Sequence, residues 1–359
     1  CTSHRHTLSL PPMKVSPIFL MLLWLTAPCQ AEPPASQLRR FEFQRTLMGV
    51  PFAAAFYAPD EGSANKAIAA VWARIEHLNW MMSDFDSNSE LMRLCRDSGP
   101  GKPIAVSSEL FRVLSKSVEV SALSDGAFDV SVGPLIKLWR RARRQKELPD
   151  PKLLQEAREL VGFRHMRLHC DACSVELLKS GMRLDLGGIA VGYAADEAVR
   201  VLKQHGITRA MIDGSGDIVV SDPPPGSTGW HIGIASLREP DAAPTQFVTL
   251  ANCSISTSGD AYQFVEVGGR RYSHIVDPKT GLGLTERCGV TVIAPDGITA
   301  DALATAVSVL GPERGLKLIE LQTDVAGLIV TLEVGRQVTR HSSRWHTLTR
   351  SACEGGSPQ

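Results

Sequence analysis

The chain has 359 residues, 43% hydrophobic and 21% charged, which is enough apolar material to bury a large core as one domain or two closely joined lobes. Lysine plus arginine and aspartate plus glutamate both number 38, so no overall basic field exists to attract nucleic acid, and no nucleic-acid partner is expected. From Met13 the chain reads MKVSPIFLMLLWLTAPCQAEPPAS, with one lysine, an apolar core over 18–25 and then small and polar residues. That is the layout of a secretory signal, and the apolar run is too short to span a bilayer. Residues 1–31 are therefore expected to be upstream sequence and signal, cleaved after Ala31. Cys29 raises the alternative of a lipid tether, which Pro28 before it fits poorly. Residues 41–57 read as strand and 64–82 as an amphipathic helix, with Ser87, Asn88 and Ser89 leading a further helix toward Leu94. Ser107, Ser108 and Glu109 open another helix that runs to Leu123. The basic run Arg140, Arg141, Arg143, Arg144 and Lys146 reads as a solvated helix face, with contact to an anionic partner as the alternative.

A short strand is expected to end at Asp185, and residues 192–205 form a helix. Strands are expected over 211–220, 230–235, 247–255, 263–267 and 290–294, and an Ala-rich helix follows from 298. Strands and helices come in mixed blocks. Strict alternation is absent, and GSGDIV at Gly214 lacks the helix that must follow a dinucleotide fingerprint, so a doubly wound fold is excluded. Cys95, Cys170, Cys173, Cys253, Cys288 and Cys353 lie beyond residue 31. Cys170 and Cys173 form a lone CxxC: a loop pair, bridged or free, unless His165 and His169 complete a zinc site.

Three stretches carry chemistry. In ITADALATAVSVLG (298–311), Asp301 and Thr305 stand four apart on a helix, so one turn stacks a carboxylate and a hydroxyl on one face. Such oxygens suit a hard cation such as magnesium. They equally suit a helix cap and a hydroxyl bonded back to the preceding turn. In LDLGGIAVGYAADEAV (184–199), Gly187 and Gly188 precede a helix whose unpaired amides could cradle phosphate, or they simply make a strand-to-helix turn. In HIVDPKTG (274–281), His274 is a candidate general base with Asp277 to orient it or contact an acceptor; the alternative is a histidine satisfied within a turn.

Together with MGVPF (48–52), GAFDVSVGPLIKLW (126–139) and SISTSGD (254–260), these stretches occur in an order that resembles the ApbE family, the FAD:protein FMN transferases, from about Met48 to about Gly335. The resemblance implies an α+β flavin-transferase fold of two intimate lobes with a ligand cleft between them, over residues 32–335, followed by a tail over 336–359. It further implies that the Gly188 carbonyl, or that of Ala190, joins Asp301 and Thr305 around magnesium, while Asp185 contacts the flavin nucleotide. Met48 would lie against the flavin unless it merely fills a gap in the core. Ala127 and Phe128 would line the nucleotide pocket, and Ile275 would contact the same ligand. Asp129 would bind adenine or ribose, or cap a turn. Ser256, Thr257, Ser258 and Gly259 would offer hydroxyls and amides near the cleft, and Pro134 and Trp139 are expected in packing.

Three positions depart from the family pattern. Val191 stands where a lysine or glutamate is usual, Val50 where threonine is, and Phe85 where a tyrosine often stacks on the ligand. The reaction implied is magnesium-assisted transfer of FMN from FAD to a threonine or serine hydroxyl of an acceptor protein, with AMP leaving. The expected location is the periplasm, with membrane-associated redox proteins as acceptors. Hydrolysis of FAD to FMN and AMP is the second enzymatic reading, and a periplasmic FAD-binding protein without chemistry is the third.

Overall fold

The computed structural model describes residues 38–238, 243–244, 246–259, 263–333 and 336–350. The expected signal and its cleavage site, Cys29, Asp260 and Cys353 lie outside the described residues. In the first apolar run, β1 (Arg39–Leu47) and β2 (Val50–Ala58) pair antiparallel with Leu47 opposite Val50. Met48 and Gly49 alone make the turn, both at positive φ (53° and 78°), which is the two-residue geometry whose twist matches the strands. The single strand expected over 41–57 is thus a hairpin, because Met48 accepts a left-handed conformation that its apolar character does not advertise.

Helix α1 (Glu61–Met82) starts where the Asp60 carboxylate accepts the Ser63 N–H, and α2 (Glu90–Asp97) where Ser89 accepts the Met92 N–H. Caps of this kind contribute about 1 kcal/mol each. After the short strand β3 (Ile104–Ala105), Ser107 caps α3 (Ser108–Leu123) in the same way. Pro134 lies in the first turn of α4 (Gly133–Gln145), and Pro151 opens α5 (Pro151–Glu159) behind the cap Asp150; a missing N–H costs nothing at these positions. Strands β4 (Met166–His169) and β5 (Ser174–Leu177) pair with each other and, through β5, with β3. No strand ends at Asp185, contrary to expectation. Its N–H goes to the Val130 carbonyl at 2.8 Å, and the chain there runs irregularly into α6 (Ala190–Gln204).

The main sheet resumes with β6 (Ala210–Gly214) and β7 (Asp217–Val220). Ser215 (φ 60°) and Gly216 (φ 103°) turn the chain between them, so residues 211–220 are a second hairpin where one strand was expected. Next, β8 (Trp230–Ile234) pairs with β9 (Gln246–Leu250) as a separate two-stranded sheet. Asn252, also left-handed (φ 52°), separates β9 from β10 (Cys253–Gly259), dividing the strand expected over 247–255. The rest comprises β11 (Phe264–Val267), β12 (Arg270–Ser273), β13 (Cys288–Ala294), α7 (Gly297–Glu320), β14 (Ala326–Glu333), β15 (Arg336–His341) and α8 (Trp345–Arg350). The main sheet has the order β1-β2-β6-β7-β10-β13-β14-β15, with every pairing antiparallel. Residues 336–350, set aside from the sequence as a tail, supply its edge strand and a helix.

Alternation along the strands divides the core. Val290, Val292 and Ala294 of β13 face a large cluster shared with α1, α3, α6 and α7, whereas Ile293 faces a second cluster with Trp230, Val248 and Trp345. Helices therefore cover one face of the sheet, and the β8–β9 hairpin with α8 covers the other. A third cluster joins Leu135 and Trp139 of α4 to Tyr272 and Val276, and the Trp139 Nε1–H donates to the Gly281 carbonyl at 2.8 Å. The expected packing role of Trp139 thereby fastens the turn of HIVDPKTG.

Candidate functional site

The site is built where α6 meets α7. A Cβ on Gly192 would lie 2.2 Å from the Gly297 carbonyl oxygen, and one on Gly297 would lie 2.4 Å from the Gly192 carbonyl oxygen. No side chain fits at either position, so the two helix starts touch backbone to backbone. Each then caps the other. Asp196 of α6 accepts the N–H groups of Gly297 (2.7 Å) and Ile298 (2.9 Å), two of the amides a helix start leaves unpaired. In return, Asp301 of α7 accepts the Gly192 N–H at 3.1 Å, serving a helix whose own cap position, Ile189, makes no side-chain bond. The cap of α7 itself is Asp296, which accepts the Thr299 N–H, so Asp301 is not the cap of its own helix. Thr305 lies one turn on, its Oγ1 2.9 Å from where a Gly188 Cβ would stand. Asp301, Thr305 and Gly188 are thus brought together, with the Phe128 ring edge 3.4 Å from the same point.

Electrostatics make this cluster hungry for positive charge. Burial, and then the nearby Asp217, push the Asp301 carboxyl well above the usual carboxylate range, against the pull of the Gly192 amide. Burial pushes Asp217 up to about 7, opposed by the Ser256 hydroxyl and reinforced by Asp213. Ser256 of β10 donates to Asp217 of β7, and the Thr257 and Thr291 hydroxyls meet at 3.1 Å, so the SISTSG strand lies behind the acidic pair. Among the described residues no group of three or more His, Cys, Asp or Glu side chains forms a cage for a metal. One carboxylate with hydroxyl and carbonyl oxygens instead fits a hard cation that keeps waters. The desolvated carboxylate is the observation that makes the fit, since an ion there would compensate a charge that otherwise needs a proton. Asp217 carried no signal in the sequence beyond its place in GSGD.

Asp196 gives a prediction about pH. Burial raises its folded-state pKa from 3.8 to about 7, against the two amides it accepts. A raised carboxyl stabilises the fold fully below the unfolded value of 3.8, and that contribution is lost as pH rises through about 7. Asp196→Asn is expected to flatten the decline in thermal midpoint between these limits. Parallel profiles for wild type and variant would show that Asp196 does not contribute to the slope.

Arg140, read from the sequence as part of a solvated face, is instead the centre of a second network. Its guanidinium pairs with Asp84 and, at 2.8 Å, with Asp185, and it lies 4.2 Å from the centre of the Phe85 ring. Asp185 also accepts the Gly187 N–H at 2.9 Å, and burial with Asp84 beside it raises its pKa against the pull of Arg140. Arg183 donates to the Asp84 carbonyl. Phe85 is 80% exposed, so it is not part of the core, and it borders a cavity of about 680 Å³ also lined by Met92, Cys95, Leu138 and Arg183. Arg140→Ala would leave two largely buried carboxylates without their cation, an expected loss of about 3 kcal/mol in denaturant unfolding. Arg140→Lys should recover only part of it, because an ammonium cannot form the fork to both carboxylates. Equal stability of Arg140→Ala and wild type would refute the clamp.

Other expected residues divide between ligand and scaffold. Asp129 takes the structural alternative: its carboxylate accepts Ser131 N–H and Oγ–H through Oδ1 and Phe163 N–H through Oδ2, capping a turn in a buried position, so the adenine or ribose role is not supported. Ala127 and Phe128 are buried beside it. Ile275 is buried too; its N–H donates to Ser273 Oγ and its carbonyl accepts the Leu284 N–H. The Asp277 Oδ1 accepts Lys279 N–H at 2.8 Å, within the DPKTG turn. His274 Nδ1 contacts the Gln263 carbonyl at 3.1 Å; since a carbonyl only accepts, Nδ1 is the donor in that contact. Met48, half-buried in its left-handed turn, packs against the main core. Val191 does likewise, its Cγ1 2.5 Å from where a Gly214 Cβ would stand, so this side chain turns toward the sheet instead of standing free for a nucleotide. Cys170 and Cys173 are both free thiols.

The sequence and the fold both have known counterparts. The chain is 32% identical over 278 residues to the FAD:protein FMN transferase of Treponema pallidum, covering 74% of this chain and 76% of that protein. Its fold superimposes on the flavin transferase ApbE from Vibrio cholerae with a TM-score of 0.78 at 26% identity, over 87% of this chain and 99% of the other. It also matches the apo form of the flavinyl transferase ApbE from Pseudomonas stutzeri with a TM-score of 0.76 at 28% identity, over 87% and 98%. The ApbE family model matches residues 48–329, a span that includes the α6–α7 crossing, the Arg140 network and His274, and this chain belongs to the ApbE family.

Proposed function

We propose that this protein is a magnesium-dependent FAD:protein FMN transferase that esterifies FMN to a threonine or serine hydroxyl of an acceptor protein and releases AMP. The observation that carries the reading is the convergence of Asp301, Thr305 and Gly188 at the start of α6. The name of the Treponema pallidum relative, FAD:protein FMN transferase, supports the same chemistry. Asp301, Thr305 and the Gly188 carbonyl would hold the ion. Magnesium, when bound, supplies charge compensation to a pyrophosphate and to the phosphate being transferred. The residues of the chain do the rest. Phe85, over Arg140, offers an aromatic face for a planar ring, and the cavity beside it offers depth. The His274 imidazole takes the proton of the acceptor hydroxyl, whose oxygen bonds to the FMN phosphorus as the bond from that phosphorus to the AMP oxygen breaks. AMP leaves with the electron pair. The signal-like sequence over 13–31 supports action in the periplasm, on acceptors associated with the membrane.

Incubating the purified chain with FAD, magnesium and a candidate acceptor domain, then weighing the acceptor and measuring AMP, tests this reading. An FMN-sized mass gain with matching AMP is the expected result. Free FMN with AMP and an unmodified acceptor would favour hydrolysis, and unchanged FAD would favour a carrier.

A further inference from the structure

We infer that His341 and His346 form a second, separate metal site, selective for a divalent first-row transition ion of the zinc, nickel or copper type. His341 ends the edge strand β15, and His346 is in the first turn of α8. Their Nε2 atoms lie 3.2 Å apart. Two imidazole nitrogens bound to one zinc at tetrahedral angles are separated by about 3.3 Å, so the ligand spacing is already set. The His341 Nδ1 contacts the Ser342 carbonyl at 3.2 Å. That contact makes Nδ1 the donor, the arrangement in which a metal-binding histidine is oriented from behind, and Nε2 faces His346.

A plain hydrogen bond between the rings explains the pair less well. Two imidazoles sharing a linear N–H···N bond of this length would have centroids roughly 5.5 Å apart, whereas these lie 4.4 Å apart at 73° between planes. The nitrogens therefore do not face each other head-on; one proton is shared between them at 3.2 Å, and a metal ion would displace that proton and take both nitrogens as ligands. The backbones that carry the rings are held firmly. His341 pairs with Leu328 in the sheet, Ser342 exchanges bonds with Gly327, and Trp345, only 2% exposed, anchors α8 in the core. Imidazole nitrogens suit zinc, copper and nickel, while magnesium prefers oxygen, so this pair does not duplicate the Asp301 cluster. Two protein ligands leave the remaining positions to water, giving an open site that also ties the last strand to the last helix.

The test uses the full chain carrying Cys170→Ser and Cys173→Ser, with magnesium in excess, titrated calorimetrically with nickel chloride. The expected result is one equivalent whose affinity falls roughly tenfold or more in His341→Ala and in His346→Ala taken singly, but not in Asp301→Ala. Saturating nickel should raise the thermal midpoint of the parent and not of either histidine variant. Both side chains are exposed, so the variants should fold, which matching midpoints without nickel would verify. Equal nickel affinity in parent and histidine variants, or displacement of nickel by magnesium, would overturn the assignment.

Discussion

Asp301→Ala is expected to abolish flavin transfer while leaving a folded protein. The substitution removes the one anionic oxygen among the proposed magnesium ligands. If the ion contributes about 4 kcal/mol to stabilising the transferring phosphate, the rate falls by roughly a thousandfold. The fold should survive, because the lost carboxylate is one that burial and Asp217 already disfavour. What remains is an unpaired Gly192 amide, a cost of about 1–3 kcal/mol. Asp301→Asn separates the two effects: it keeps an acceptor for Gly192 and still removes the charge. Both variants should lose acceptor modification and AMP release together, and only the alanine variant should lose stability. Thr305→Ala should chiefly raise the magnesium requirement, since a neutral hydroxyl compensates less charge. Near-wild-type turnover of Asp301→Ala at limiting magnesium would remove this cluster from the mechanism.

The parts of this site that were legible in the sequence are those whose chemistry is local. Asp301 and Thr305 share a helix face by their spacing alone, and Ser107 with Glu109 announces a helix start because capping is settled within one turn. Three turns were missed where left-handed residues divide a strand run: Met48 gives no polar warning, whereas Ser215 within DGSGD and Asn252 stand at polar breaks that the run reading passed over. Arg140 was misread because its helix neighbours are basic and exposed. Its actual partners, Asp84 and Asp185, lie on distant segments that only the fold assembles. The same holds for Asp196, whose bonds to Gly297 and Ile298 mean nothing until α6 and α7 meet at two glycines. The family resemblance could not supply the reciprocal capping that joins α6 and α7.

His274→Ala is expected to lower kcat by about 10²–10⁴, the usual contribution of a positioned general base, with FAD and magnesium binding close to wild type. The imidazole is oriented by the Gln263 carbonyl, which accepts from Nδ1, and this fixed ring is the reason for choosing His274 as the proposed base. The contact comes from backbone, so no single substitution at Gln263 should remove it, and Gln263→Ala should leave kcat nearly unchanged. A merely structural histidine would make the opposite pattern, with loss of stability and a raised KM at unaltered kcat. The pH–rate profile adds a second readout. In the wild type the rate should fall in acid as the imidazole takes a proton and loses its lone pair, and in His274→Ala that acid limb should vanish from what activity remains. Added imidazole should restore part of the rate to the alanine variant by occupying the space the ring left. Retention of the acid limb in the variant, with kcat within a few-fold of wild type, would assign the base to another group and leave His274 to position the turn that Trp139 fastens at Gly281.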